Sequence, residues 1–214
     1  MKTHVTKKKV GLIVCIVFIV LVAAAAAGYF GYGATLLDPN SDDSIKSVVS
    51  KERYGFEEGL GNKEVEILVK KQYGDYFAVL FSAVPPDDRE AAITHLSLYK
   101  KHKYYKNRYV SSSRTSDGSE LDSVLCISRM DEDLDSAKIV CYIGNDVSGV
   151  SRCTLLEADE DTPDRPFVRK VDEIALPTDD PYILVKEYEM QKPGNSIVCF
   201  DGSLDLSDIY GDAA

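Results

Sequence analysis

Several residue types and motifs with which enzymes work are scarce in this 214-residue chain. It has no tryptophan and three histidines. It contains no Gly-x-Ser-x-Gly elbow, no His-x-x-x-His pair and no phosphate loop. Beyond residue 37 only His95 and His102 remain. His102 lies among lysines, where it would be a poor general base, and His95 lies in an apolar strand pattern typical of a packing position. We therefore predict no catalytic residues.

Acidic residues are absent before Asp38, and this absence defines the N-terminal segment. Lys2 and the lysines at 7–9 precede an uncharged run that begins at Val10. The strongly apolar part, Val10–Ala27, would span about 27 Å as a helix, close to the roughly 30 Å of a hydrocarbon core. Lysines behind the run and aspartates ahead of it predict a cytoplasmic N-terminus and an exported C-terminal region.

The same segment also fits a cleaved secretory signal, because small residues fill Ala23–Ala27. Either interpretation predicts export, to the outer face of the cell membrane or as a secreted protein. The predicted organisation is a cytoplasmic basic tail (1–9), a transmembrane signal-anchor (10–30, contacting the membrane through Val10–Tyr29), a stalk (31–42), an extracytoplasmic β-rich domain (43–203) and a flexible acidic tail (204–214).

The exported region is strongly acidic. Four of the 25 bases precede Asp38, so this region has 21 bases against 35 acids and a net charge of −14. Such a charge argues against nucleic acid as a partner, since a polyanion would be repelled.

Hydrophobic periodicity predicts one helix followed by many strands. Ile45, Val48 and Val49 recur at helical spacing, with Asp43 or Ser44 as the expected cap. From residue 64 the period changes to two, and Gly74-Asp75 is typical of a two-residue hairpin turn. Residues 181–190 and 196–200 are expected to form a closing hairpin. The predicted fold class is α+β: mainly an antiparallel β meander with the N-terminal helix packed on it, or alternatively a β-sandwich, preceded by one transmembrane helix.

A stretch of one charge sign stands out within the acidic domain. Between Ala91 and Ser116 there are six bases and no acid, so the rest of the exported region has a net charge of −20. Tyrosines interleave with the bases, a composition suited to stacking and anion contact. The alternative is an ordinary strand pair with tyrosines inward and lysines in solvent. The candidate binding residues are Lys100, Lys101, Lys103, Tyr104, Tyr105, Lys106 and Arg108.

Alternating acids suggest one candidate metal site. Asp131, Asp133 and Asp135 match the first three ligand positions of a calcium loop. However, Ser136 stands where that loop needs glycine, and Tyr142 where it needs glutamate. A solvated turn is the alternative interpretation, and no other cofactor is predicted.

The exported region contains four cysteines: Cys126, Cys141, Cys153 and Cys199. A hairpin over residues 131–136 would put Cys126 opposite Cys141, a candidate disulfide if the pair is not hydrogen-bonded. Cys153 and Cys199 would then form the second pair. Alternatively, each cysteine is a small buried hydrophobe.

Together these features predict a non-enzymatic binding module of the cell envelope, whose partner is a protein or an anionic envelope polymer. Two alternatives stay open. One is an envelope hydrolase, which would need carboxylates converging in a cleft. The other is a structural domain, secreted after signal cleavage or assembling through its sheet edges.

Overall fold

A computed structural model of the protein describes residues 7–54, 57–58, 60, 63–86, 92–116, 124–130, 138–145, 150–159, 161–177 and 181–211. It has an N-terminal apolar helix followed by antiparallel sheets, with a second helix packed on them. The predicted α+β class is therefore confirmed.

Helix α1 (Lys7–Gly33) contains the apolar run. Its segment Ile13–Gly33 is 21 residues long, has no buried residue in its apolar window, and is long and apolar enough to cross a membrane. At about 1.5 Å per residue this segment spans roughly 32 Å. The helix continues three residues beyond the predicted end at residue 30.

The segment between α1 and α2, predicted as a stalk, packs onto the domain. Leu36 and Leu37 are buried. Leu37 forms an isolated antiparallel bridge with Tyr109, in which the two backbone N–H···O distances are 3.1 and 3.0 Å. The chain is thus hydrogen-bonded to the domain at Leu37, shortly after α1 ends at Gly33.

Helix α2 (Asp42–Val49) is capped by Ser41, whose hydroxyl accepts a hydrogen bond from the Ser44 N–H at 3.2 Å. The predicted cap, Asp43 or Ser44, is wrong by two or three residues, because Ser41 already supplies the side-chain oxygen that the first turn needs. Ile45 and Val49 lie on the buried face of the helix.

Twelve strands follow in the described part of the chain. Strands β1 (Arg53–Tyr54) and β2 (Glu57–Glu58) form a small ladder. The first large sheet has the order β3-β4-β5-β6, a meander of β3 (Glu64–Tyr73), β4 (Tyr76–Val84), β5 (Ile93–Lys101) and β6 (Tyr109–Ser116). The second has the order β11-β8-β7, formed by β7 (Leu125–Met130), β8 (Lys138–Asn145) and β11 (Tyr182–Glu189). The third has the order β10-β9-β12, formed by β9 (Arg152–Ala158), β10 (Phe167–Ala175) and β12 (Ser196–Asp201).

The hairpin predicted at Gly74-Asp75 is confirmed. Tyr73 pairs with Tyr76, so the connection has two residues, and Gly74 has φ 56°. Glycine adopts this left-handed conformation without the steric penalty that other residues incur.

The three large sheets are stacked in layers. Alternate residues of the middle sheet point to opposite faces: Tyr142 packs with Leu80 and Leu98 of the first sheet, while Cys141 and Ile143 pack with Leu155 of the third. The outer face of the first sheet packs against α2. Because both faces of the middle sheet are covered, β8 is apolar at consecutive positions rather than alternate ones.

Strands β11 and β12 do not form the hairpin predicted for residues 181–200. Strand β11 pairs with β8 and β12 pairs with β9, so the connection between them crosses from the middle sheet to the third. The Pro193-Gly194 signal indicated a turn correctly but carries no information on which neighbours the flanking strands choose.

A short helix, α3 (Leu206–Tyr210), lies where a flexible tail was expected. The Tyr210 hydroxyl accepts a hydrogen bond from the Phe167 N–H at 2.8 Å, and the Arg165 guanidinium lies 5.4 Å from the centroid of its ring. These contacts attach residues 206–210 to β10 and the segment before it.

Candidate functional site: a basic loop against the end of helix α1

The predicted binding residues lie at and around the connection between β5 and β6. Lys100 and Lys101 end β5, and residues 102–108 join it to β6. We call residues 100–108 the basic loop. Lys101, Lys103, Tyr104 and Lys106 are exposed, and Lys100, Tyr105 and Arg108 are half-buried.

The basic loop packs against the last turns of α1. The ring of Tyr105 stacks on that of Tyr29, with centroids 4.4 Å apart and planes 17° from parallel. The Tyr105 hydroxyl donates to the Tyr29 carbonyl at 2.9 Å, and the Tyr29 hydroxyl donates to the Tyr104 carbonyl at 3.3 Å. Tyr32 makes edge contacts with Tyr105 and His102, at centroid distances of 5.6 and 5.9 Å. This contact was not predicted from the sequence, although the tyrosines at the end of the apolar run were a signal for it.

Gly33 makes the close approach of Tyr105 to α1 feasible. A Cβ atom at this position would lie 2.8 Å from Cε1 of Tyr105, closer than side chains pack. Around Gly31, by contrast, no atom lies within 4 Å of an added Cβ. Of these two glycines, only Gly33 must lack a side chain for the Tyr105 ring to fit against α1.

Hydrogen bonds within the loop hold its shape. The His102 N–H donates to the Arg108 carbonyl at 2.7 Å, and the Arg108 N–H donates to the Tyr105 carbonyl at 3.2 Å. The Tyr104 N–H donates to Nδ1 of His102 at 3.1 Å. Asn107 takes a left-handed conformation, with φ 55°, which asparagine adopts more readily than most residues. Burial raises the pKa of the Tyr105 hydroxyl, which favours the protonated form that donates to the Tyr29 carbonyl.

The cations of the loop differ in how far they are neutralised. Arg108 forms an ion pair with Asp38, and the hydrogen bond from its guanidinium lowers the pKa of that carboxyl. Lys101 lies 3.8 Å from the Asp75 carboxylate. Within the described part of the chain, neither Lys103 nor Lys106 has a carboxylate partner. The free positive charge of the loop is therefore concentrated on Lys103 and Lys106.

A cavity of 550 Å³ lies beside this contact, between the basic loop and the end of α1. Tyr29, Phe30 and Gly33 line it on the helix side, and Lys106 and Arg108 line it on the loop side. Phe30 is 72% exposed. The cavity thus combines aromatic and basic surface.

A second cavity, of 670 Å³, lies between α2 and the edge strand β3. Its carboxylates belong to Asp42, Glu64 and Glu66, all exposed, and Asp42 is held by Lys70 Nζ at 2.7 Å. No group of three or more metal-ligating side chains occurs among the residues that the structure describes. The candidate calcium ligands Asp131, Asp133 and Asp135 lie outside those residues.

The four domain cysteines meet between the middle and third sheets. Their thiols interact in series, Cys153 with Cys199, Cys199 with Cys126, and Cys126 with Cys141. The interaction with Cys199 and burial raise the pKa of the Cys153 thiol. The pKa values of Cys126 and Cys199 are also raised, because the interactions with Cys141 and Cys126, respectively, and burial outweigh the opposite effect of the thiol on the other side. All four are free thiols in this structure.

The register predicted for the cysteine hairpin is wrong by two residues. Cys126 pairs with Ile143 rather than Cys141, which pairs with Ser128. A slip of two residues leaves every side chain on the same face, so the apolar pattern fits both registers equally well. Cys126 and Cys141 consequently remain diagonal neighbours on one face.

Two buried ionisable groups, His95 and Glu157, belong to the core rather than to a candidate site. His95 stacks on Phe81 at a centroid distance of 5.1 Å, as expected for a packing position, and burial lowers its pKa to about 4.

The buried carboxylate of Glu157 was not predicted from the sequence. It is fully buried and accepts hydrogen bonds from Arg169 Nε at 2.5 Å, Asn195 Nδ2 at 2.6 Å and the Gln191 N–H at 2.8 Å. Burial acts to raise its pKa, but these hydrogen bonds outweigh burial and the pKa is lowered.

No family model matches this chain, and neither a curated protein nor a solved structure matches it.

Proposed function

We propose that this protein is a membrane-anchored, extracytoplasmic binding module of the cell envelope, without catalytic activity. Helix α1 would cross the cell membrane with its lysine-flanked N-terminus in the cytoplasm. The sheets would then lie outside, and the basic loop would be their binding surface. The alternatives are a secreted domain released by signal cleavage and an envelope hydrolase.

The observation that carries this proposal is the stacking of Tyr105 on Tyr29, at 4.4 Å between centroids. It connects the two most unusual features of the sequence, the apolar helix and the basic loop. A loop that only exposes lysines to solvent does not need a fixed position, whereas this loop is held on α1 by two hydrogen bonds and a ring stack. Fixed geometry of this kind reduces the conformational entropy that a binding surface loses when it engages a ligand.

Charge supports an anionic or acidic partner. The loop holds Lys103 and Lys106 without carboxylate partners among the described residues, while the domain around it is acidic. A local basic patch on an acidic body attracts an anion at one place and repels it elsewhere, which gives orientation as well as attraction.

The test is capture of envelope components by the full chain in detergent, compared with the variant in which Lys100, Lys101, Lys103 and Lys106 are replaced by alanine. We expect salt-sensitive capture of a protein or anionic polymer by the wild type and its loss in the variant. A Lys138→Ala/Lys186→Ala variant is the control, because both lysines are exposed on other strands. Equal capture by all three proteins would refute the loop as the binding surface.

A further inference from the structure

The geometry points to an anionic phospholipid headgroup as the ligand of the basic loop, bound beside the point where α1 leaves the bilayer. This inference rests on the proposed membrane anchoring and names the partner of that same surface. It makes the loop a device that holds the domain against the membrane in one orientation.

The contacts between the basic loop and α1 determine how deep the loop lies relative to the lipid headgroups. Tyr29, Phe30 and Tyr32 occupy the last turns of α1, and aromatic residues of these types settle at the level of lipid headgroups. The loop contacts the same turns through Tyr105 and His102. Whatever depth Tyr29 takes in the membrane, the loop is held within one side-chain length of it. The loop therefore lies at headgroup level whenever α1 spans the bilayer.

The second argument is the chemistry of the cavity between α1 and the loop. Its 550 Å³ is within the range of about 300–1,000 Å³ typical of small-molecule sites. Lys106 offers an ammonium group for a phosphate oxygen, while the exposed Phe30 ring offers apolar surface toward the start of the acyl chains. Asp38 also lines the cavity, but it is paired with Arg108, so the net positive charge comes from the lysine.

The third argument is the distribution of charge over the domain. Residues 91–116 have a net charge of +6, and the rest of the exported region has −20. An anionic membrane would attract the first and repel the second. A tether at one end combined with this asymmetry favours a single orientation, with the basic loop down and the acidic sheets away from the surface.

The absence of tryptophan provides a direct probe. Tyr104→Trp would introduce the sole tryptophan of the chain at a position that is 71% exposed, and the contact that this residue makes with α1 is through its backbone carbonyl. The full-length variant would be reconstituted in phosphatidylcholine vesicles, with or without phosphatidylglycerol as the minor lipid. The fluorescence emission of the introduced indole and its quenching by bromine-labelled acyl chains would then be measured.

We expect the indole emission of this variant to shift to shorter wavelength, and its quenching to increase, when phosphatidylglycerol is present. Salt near 1 M, where the Debye length is about 3 Å, should reverse both changes. The Lys103→Ala/Lys106→Ala variant should need about 25-fold more phosphatidylglycerol for the same response, at roughly five-fold per lysine. The control, Lys138→Ala/Lys186→Ala, removes the same charge elsewhere and should leave the response unchanged.

Three outcomes would overturn the inference. One is indole emission that is insensitive to phosphatidylglycerol and to salt. Another is equal weakening by the two lysine pairs. The third is that inorganic phosphate releases the loop from the vesicle surface more effectively than chloride does at the same ionic strength. That result would identify a lone phosphate, rather than the bilayer, as the ligand.

The proposed function fails separately. If the chain does not float with vesicles in a density gradient, the anchor itself is refuted. If it floats, ignores phosphatidylglycerol and still captures an envelope protein or polymer through Lys103 and Lys106, only the lipid inference is lost.

Discussion

The Tyr105 ring lies face to face with the Tyr29 ring across the junction between α1 and the sheets, and each of these side chains also donates a hydrogen bond across the junction. These contacts fix the basic loop to the only described helix that is long and apolar enough to span a membrane.

The first prediction concerns the glycine beneath Tyr105. Gly33→Ala would put a methyl group 2.8 Å from Cε1 of Tyr105 and displace the ring. Loss of the stack, worth about 0.5–1.5 kcal/mol, should free the loop and accelerate trypsin cleavage after Lys103 and Lys106. Gly31→Ala is the matched control, since nothing lies within 4 Å of its added methyl. Equal cleavage of the two variants would show that the stack does not hold the loop.

The second prediction concerns pH and His95. Its pKa is about 4 in the folded protein, where it is buried, and about 6.5 in an unfolded chain. Between these values the unfolded state binds the extra proton, so stability is complete above pH 6.5 and falls as the pH drops toward 4. The full loss would be on the order of 3 kcal/mol, at about 1.4 kcal/mol per unit. Urea unfolding monitored by circular dichroism at several pH values would measure it.

His95→Phe keeps an aromatic ring against Phe81 but does not titrate. In this variant the free energy of unfolding should change much less between pH 6.5 and 4. If wild type and variant lost stability in parallel over that window, His95 would not be the group responsible.

The third prediction concerns the buried Glu157. Arg169→Ala would leave the Glu157 carboxylate without its nearest cation. Breaking a buried ion pair in this way lowers the free energy of unfolding by about 3–5 kcal/mol. Adding Glu157→Gln to that variant should recover much of the loss, because the uncompensated charge disappears. Arg152→Ala is the control: Arg152 is 60% exposed and its partner Glu173 keeps the Lys170 ammonium group at 2.8 Å, so the change should cost only the 0–1 kcal/mol or so that exposed pairs contribute. Similar costs for Arg169→Ala and Arg152→Ala would contradict this role of Glu157.

The fourth prediction concerns the cysteines under oxidising conditions. The thiols form a chain with Cys141 at one end and Cys153 at the other, so only the pairs Cys126–Cys141 and Cys153–Cys199 use all four. Each bridge would form by exchange with an oxidised dithiol, which leaves as two thiols. Both pairs are diagonal across their strands, so a small strand shift must bring their Cβ atoms to about 3.5–4.5 Å.

Non-reducing peptide mapping of the full chain, purified from an exported location, tests this pairing. Cys15, which is exposed on α1, should remain a free thiol and serves as the internal reference. A bridge between Cys126 and Cys199, or four unbridged domain thiols, would contradict the prediction.

Local features of the fold were predictable from the sequence, whereas pairings between distant segments were not. The apolar length of α1 and the Gly74-Asp75 turn each depend on neighbouring residues, and both are present in the structure. The period of two predicted for β3 holds for Val65 and Ile67 but not for Val69, because a bulge between Ile67 and Val69 moves Val69 to the opposite face. The partners of β11 and β12 depend on which buried edge each strand meets, and an apolar strand such as β8 is compatible with several neighbours.

The candidate site divides in the same way. The sequence identified the cations of the basic loop, because a stretch without acids is visible in composition. It could not reveal that Tyr105 reaches Tyr29, which is 76 residues away along the chain, or that Asp38 neutralises Arg108. Nor did it indicate Glu157, since a buried carboxylate within an apolar strand looks like an ordinary solvent-facing residue until its partners are known.

The central claim is that α1 crosses the membrane with its N-terminus inside and holds the basic loop at the outer surface. Acylation by a membrane-impermeant amine reagent on intact cells that express the full chain, mapped by mass spectrometry, tests it most directly. We expect Lys138 and Lys186 to react, the lysines at 7–9 to stay unmodified, and Lys103 and Lys106 to react slowly until detergent is added. Reaction of the lysines at 7–9 in intact cells, or of Lys103 and Lys106 as fast as Lys138, would contradict the account.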